Sequence, residues 1–172
     1  WLPTDIRLNT NAAGSSYATA LEMCCSGNNI YVAWFDDRNE VFTPFLNCSQ
    51  DGGVTWRAAD ISLSSVEERN ISFLKMCCAG DDVHVCWADR RGLRGAILVN
   101  SSSDAGVTWL DEEVQISTWV FTPEAPHPTF SFGQPLICCG ESSGCVSWSD
   151  NRTETDHDLW CRCSTDGGQT WA

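Results

Sequence analysis

An eight-residue pattern recurs three times in this chain and limits its fold more tightly than any local propensity can. It reads S-x-D-x-G-x-T-W, first at Ser49, Asp51, Gly53, Thr55 and Trp56, next at Ser102, Asp104, Gly106, Thr108 and Trp109, and last at Ser164, Asp166, Gly168, Thr170 and Trp171. The aspartates stand 53 and 62 residues apart, the length of a whole supersecondary unit, so the chain reads as an array of like units. Two further landmarks keep step with it. The doublets Cys24-Cys25, Cys77-Cys78 and Cys138-Cys139 recur at nearly the same interval, and so do Trp34, Trp87 and Trp148, each opening a W-x-D-x-R element.

Within each unit the texture is all-β. Segments such as Ile30 to Trp34, Val83 to Trp87 and Gly95 to Val99 are short, rich in β-branched and aromatic residues, and bounded by Gly, Asn, Asp or Ser. No window sustains apolar residues at helical spacing, so helix should be nearly absent. From its Cys doublet each unit reads as an inner strand, a turn, a second strand ending in W-x-D-x-R, a third strand, the recurrent turn and a fourth strand. Four strands in about 50 residues make a β-propeller blade. The expectation is one all-β array over 1–172, with blades at 16–63, 70–118 and 129–172, the last lacking its final strand, and a strand at 1–9 that completes a blade.

The recurrent turn has a mechanical reading. A short link between strands needs glycine where φ is positive, a carboxylate to accept backbone N–H groups, and hydroxyls that do the same more weakly. S-x-D-x-G-x-T-W, with V-x-W-x-D-x-R upstream in the first unit's style, resembles the BNR or Asp-box repeat of sialidases and sialidase-like secreted propellers. The resemblance covers practically the whole chain, and it speaks for the blade, not for activity.

A working sialidase, as that resemblance implies, would need an arginine triad on the substrate carboxylate, a Tyr–Glu nucleophile pair, an Asp acid/base and an F/Y-R-I-P segment. That segment is missing from the sequence, and the two tyrosines are Tyr17 and Tyr31. Tyr31 repeats as His84 and Cys145, which marks a packing position. Arg38, Arg91 and Arg152 are equivalent by repeat, so they would be spread around a ring instead of converging on one carboxylate. With Asp36, Asp89 and Asp150 they read either as loop-bracing pairs or as a ligand-facing ring at a propeller mouth, on the face opposite the Asp boxes if the family geometry holds. Trp119 and His127, in a Pro-rich aromatic stretch that lengthens the third unit, are candidates for the same face, though an ordinary surface insertion reads slightly better. No catalytic residue is assigned, and hydrolysis of sialosides by this chain is not expected.

A net charge of −13 argues against a nucleic-acid or anionic-membrane partner. No apolar run reaches the roughly 20 residues of a membrane span. The eleven cysteines (Cys24, Cys25, Cys48, Cys77, Cys78, Cys86, Cys138, Cys139, Cys145, Cys161 and Cys163) are all disulfide candidates, and their odd number leaves one thiol free or bridging two chains. Neighbouring strand residues point to opposite faces, so each doublet aims one thiol at each adjoining blade, where Cys can also serve as a small apolar residue. Sequons at Asn47, Asn70, Asn100 and Asn151 fit a secreted glycoprotein. No metal or cofactor site is expected, since no zinc or haem spacing occurs.

The absence of an initiating Met and of a signal peptide suggests a processed form or a piece of something longer. Residues 1–8 align with the segment after each recurrent turn, while the chain stops just after Trp171, so the ends are out of phase by part of a blade. Three blades are too few to close a ring. The favoured expectation is therefore an extracellular or cell-surface, non-enzymatic scaffold whose copies complete one another's propellers as a ring or filament. The alternative is a glycan-binding module or a fragment of a sialidase-like glycoside hydrolase.

Overall fold

The computed structural model describes residues 4–65, 70–89, 95–117, 133–152 and 156–172. They form three antiparallel sheets, with no helix among them. The first sheet runs β1 (Ala18–Ser26), β2 (Asn29–Asp36), β3 (Thr43–Ser49), β4 (Ile61–Ser62); the second runs β5 (Ile71–Ala79), β6 (Asp82–Asp89), β7 (Ala96–Ser102), β8 (Val114–Gln115). The third has β9 (Leu136–Gly140), β10 (Ser143–Asp150) and β11 (Asp158–Ser164). Each sheet is a meander, because turns as short as Gly27-Asn28 return the chain beside the strand just made.

Registers repeat as closely as the sequence does. Tyr31 stands opposite Cys48, His84 opposite Ser101, and Cys145 opposite Cys163. A bulge interrupts β1 between Thr19 and Glu22, and β5 between Ser72 and Lys75, with Ala20 and Phe73 at positive φ. The same irregularity in both units shows that the innermost strand is bent by design.

The sheets stack face to face. Tyr31, Ala33, Phe35 and Leu46 of the first sheet pack on Leu74, Met76, Val83, Val85 and Trp87 of the second. Cys86, Ala88, Ile97 and Val99 on the other face of the second sheet pack on Val146, Trp148 and Trp171 of the third. The second sheet is thus buried on both faces, which explains why β6 and β7 read as nearly unbroken apolar runs. Residues 4–10 lie outside any strand; Leu8 packs with Val32, Trp34, Phe45 and Trp56 on the outer face of the first sheet.

The recurrent turns fold identically. In the first, Ser49 Oγ donates to Asp51 Oδ1 (2.8 Å) and accepts from the Gly53 N–H (2.9 Å), while Asp51 accepts from the Thr55 N–H (2.8 Å) and hydroxyl (2.6 Å). The Trp56 indole N–H then donates to the Gly53 carbonyl at 3.2 Å. The turns at Asp104 and Asp166 reproduce every one of these contacts. The Thr55 hydrogen bonds hold the Asp51 carboxyl down at about 2, and the Thr170 bonds do the same for Asp166.

Three disulfides reinforce the stack. Cys24–Cys78 joins β1 to β5, Cys77–Cys139 joins β5 to β9, and Cys145–Cys163 ties β10 to β11. The first two close loops of 54 and 62 residues, enough to stabilise by about 4 kcal/mol each through the unfolded state. Cys25, Cys48, Cys86, Cys138 and Cys161 take no part in these three bridges and are free among the described residues. Cys48 and Cys86 are buried with apolar neighbours, where they act as small hydrophobes and burial pushes their thiol pKa up.

One glycine in each later turn is pressed against the sheet before it. A Cβ on Gly168 would sit 2.5 Å from Ser101 Cβ and 2.8 Å from His84 Nδ1, at φ +86°; one on Gly53 would meet nothing closer than 3.5 Å, at φ +87°. Both positions suffer the backbone penalty, and Gly168 alone suffers the clash. Gly168→Ala should therefore cost about 2–4 kcal/mol and Gly53→Ala about 1–2 kcal/mol. Denaturant unfolding of the two variants checks this, and equal losses would show that the inter-sheet contact contributes nothing.

Candidate functional site

The strands carry their polar groups to two opposite ends. The recurrent turns sit after β3, β7 and β11, and the W-x-D-x-R elements close β2, β6 and β10 at the other end, because antiparallel neighbours reverse direction. Asp36, Asp89 and Asp150 are all buried there.

Asp36 accepts from the Trp34 indole N–H (3.2 Å), the Arg38 backbone N–H (2.9 Å) and Arg38 Nη2 (2.8 Å). Arg38 Nη1 also donates to Asp60 at 2.8 Å, and the guanidinium lies 4.1 Å over the Phe45 ring. Asp150 repeats the pattern with Trp148 Nε1 (2.8 Å), the Arg152 N–H (3.1 Å) and Arg152 Nε (2.7 Å), and Arg152 lies 4.1 Å over the Trp160 ring. Each arginine is bound to the carboxylate two residues before it and laid on an aromatic ring of its own sheet, an arrangement that fixes the loop leaving the strand. Burial alone would push the Asp36 carboxyl up, but the hydrogen bonds from Arg38, Ser16 and Trp34 win and hold it at about 2; Asp150 is likewise lowered. Arg91, Trp119 and His127 lie outside the described residues.

Tyr31 is buried against Cys48, and burial raises its phenol to about 12. A nucleophilic tyrosine requires the reverse shift. His84, at the equivalent place, shares a hydrogen bond with Ser101 at 2.9 Å and meets the Trp171 ring edge-on at 5.6 Å; burial lowers its pKa.

Two sequons are corrected. Asn47 and Asn100 lie buried in the middle of β3 and β7, where their amides hold the chain leaving the turn. Asn47 Nδ2 reaches the Arg57 carbonyl (3.2 Å) and Asp60 (3.0 Å), and Asn100 Nδ2 reaches the Leu110 carbonyl (3.1 Å). An amide so enclosed offers no nitrogen to a glycan. Arg162 performs the same task in the third sheet, donating to the Trp171 carbonyl at 3.0 Å. Sequence reasoning missed this clamp, although the shared position two residues before each Ser of the turn was there to be read. Asn70 is exposed, and Asn151 follows Asp150 at the end of β10.

A hollow of about 250 Å³, lined by Leu8, Leu21, Val32 and Trp34 with Arg7, opens on the outer face of the first sheet. A second, of about 270 Å³, lies at the turn end beside Cys48, Asp51 and Trp56. Neither is lined by Asp36 or Arg38. Among the described residues no cluster of three or more His, Cys, Asp or Glu is placed to hold a metal ion.

No protein-family model matches the sequence, and no curated protein matches it. The fold is similar to solved structures. The α-L-arabinanase of Penicillium chrysogenum in complex with arabinobiose superposes at a TM-score of 0.51 and 15% identity, over 80% of this chain and 41% of that one. The Hadza microbial sialidase Hz136 superposes at a TM-score of 0.57 and 14% identity, over 88% of this chain and 36% of that one. The fold is a sialidase-like β-propeller fold, and the chain spans about two fifths of the length of the proteins it matches.

These neighbours correct the expected non-enzymatic, self-assembling scaffold. Both neighbours, an arabinanase and a sialidase, are glycoside hydrolases, and more than half of each of those polypeptides lies beyond the part matched here, which favours the alternative of a sialidase-like hydrolase fragment.

The depressed carboxyl at Asp36 makes a pH prediction. A folded-state pKa of about 2, against an ordinary 3.8, contributes stability that is present above about pH 4 and is lost as pH falls towards 2. Asp36→Asn should cost about 1.5–3 kcal/mol at neutral pH and make the loss between pH 4 and 2 shallower, with Asp51 and Asp166 still titrating. Chemical unfolding across pH 2–7 measures both, and an unchanged slope would show that the pairing does not stabilise the fold.

Proposed function

We propose that this chain supplies three consecutive blades of a secreted, sialidase-like glycoside-hydrolase propeller, and that its S-x-D-x-G-x-T-W turns are Asp boxes. The observation that carries the reading is the fold likeness to an arabinanase and a sialidase over most of this chain and only about two fifths of theirs. The three disulfides fit an oxidising, extracellular setting. The substrate class is a glycan.

Within that enzyme these blades act as frame. The Tyr31 phenol is buried and hard to ionise, and the guanidinium groups of Arg38 and Arg152 are engaged by carboxylates of their own sheet. The nucleophile and the groups that grip the substrate then come from other blades of the polypeptide. The same occupancy favours a second reading, in which the propeller binds glycans without cleaving them.

Fluorogenic sialosides and α-L-arabinofuranosides, offered to the full polypeptide and to residues 1–172 alone, test this. Turnover of one substrate class by the full polypeptide and none by the segment is expected. Glycan binding without turnover selects the second reading, and neither binding nor turnover by the full polypeptide overturns the proposal.

A further inference from the structure

The two bridges between sheets follow one rule: the first cysteine of a doublet bonds the second cysteine of the next. Cys24 bonds Cys78 and Cys77 bonds Cys139, with Cα–Cα distances of 6.1 and 5.7 Å. The second sheet is thereby linked on both sides, from adjacent residues that point to opposite faces. The rule leaves two unused sulfurs, Cys25 and Cys138, and both are exposed.

Their surroundings repeat the closed rungs with the cover removed. Leu21 and Met23 share the face of Cys25 and are 68% and 70% exposed; their equivalents beside Cys78, Leu74 and Met76, are 3% and 8% exposed under the first sheet. On the far side of the third sheet, Leu136, Leu159 and Cys161 are exposed, whereas Ile97 and Val99, the counterparts of the latter two, are buried. Residues at the start of the chain already carry the mark of a covering blade. Asn47 Nδ2 donates to the Leu8 carbonyl (3.3 Å) as Asn100 Nδ2 donates to the Leu63 carbonyl (2.9 Å), so Leu8 stands to the first sheet as the tail of the first sheet stands to the second.

We propose that the inner-strand doublets form a continuous disulfide ladder from blade to blade, and that Cys25 and Cys138 are rungs completed by doublets of the adjoining blades of the same polypeptide. The inference rests on the reading of the chain as part of a larger propeller. Cys25 takes the first cysteine of a preceding doublet and Cys138 the second cysteine of a following one. Each rung forms by thiol–disulfide exchange: two thiols and one molecule of a small-molecule disulfide such as oxidised glutathione give the protein disulfide and two molecules of reduced thiol, with both protons passing to the leaving thiolates. A bond between Cys24 and Cys25 is excluded while Cys24 is held by Cys78.

The test is disulfide mapping of the full polypeptide. Free thiols are first blocked with N-ethylmaleimide in the native state; unreduced tryptic peptides are then read by tandem mass spectrometry. The peptide 8–38, which holds Cys24 and Cys25, should appear joined both to the Cys78 peptide and to a Cys-Cys peptide from outside residues 1–172. Cys25→Ser should expose one additional reactive thiol outside 1–172, and Cys86→Ser none; should Cys25→Ser fail to fold, the map of the unsubstituted protein decides alone. Recovery of Cys25 and Cys138 as maleimide adducts from native protein overturns the ladder, and a Cys25–Cys138 bond between two copies overturns its assignment to one polypeptide. A complete ladder in a protein inert towards glycans would sink the enzymatic reading and leave this one standing, and free thiols in an active hydrolase would do the reverse.

Discussion

The contact that organises this molecule is the seating of the second and third turns on the cross-strand pair of the sheet before each. Gly106 rests on Tyr31 and Cys48, and Gly168 rests on His84 and Ser101. That seat demands a bare Cα in a left-handed backbone, which only glycine supplies without strain. The aspartate and its Ser and Thr partners exist to hold the glycine in that pose, and the tryptophan that ends the motif is anchored to the same glycine's carbonyl before its ring meets the neighbouring face. Local turn chemistry is thereby converted into long-range order. The distance between sheets, and the direction in which the next strand departs, both follow from where the glycine comes to rest.

Stability is accordingly a matter between neighbours. The second sheet, covered on both sides, holds most of the fully buried residues, and the inter-sheet disulfides clamp the edge formed by β1, β5 and β9. The ion pair between Lys75 and Glu22 bridges the same strands. In such arrays each unit contributes its own stability plus one interface, so a sheet with an uncovered face lacks part of what the middle one has.

Much of this was legible in the sequence because repetition reports geometry. The turns, the short β segments and the opposite aim of adjacent cysteines all came from period and alternation. The first-to-second rule of the bridges did not, since it depends on how far one sheet is displaced along its neighbour. Asn47 and Asn100 misled for a related reason: a sequon is three residues of spelling, and it carries no information about an amide buried by a strand's partners. The Arg38–Asp60 pair joins residues 22 apart and surfaced only once β4 had been laid beside β3. The scaffold reading failed at another level, because a fold seen in one portion says little about what the whole chain does.

The three cross-strand pairs also bear on assembly order. The turns are near copies of one another, but what they meet differs: a phenol beside a thiol under Gly106 and an imidazole beside a hydroxyl under Gly168, while the equivalent pair of the third sheet is a disulfide. A chain of interchangeable units is exposed to docking in the wrong sequence, a hazard that grows with the number of repeats. Distinct sockets under identical plugs act as addresses, so that a misplaced unit meets the wrong shape and polarity even though its own turn has folded correctly. Variation at one repeated position, which at first sight blurs the motif, thus encodes which neighbour comes next.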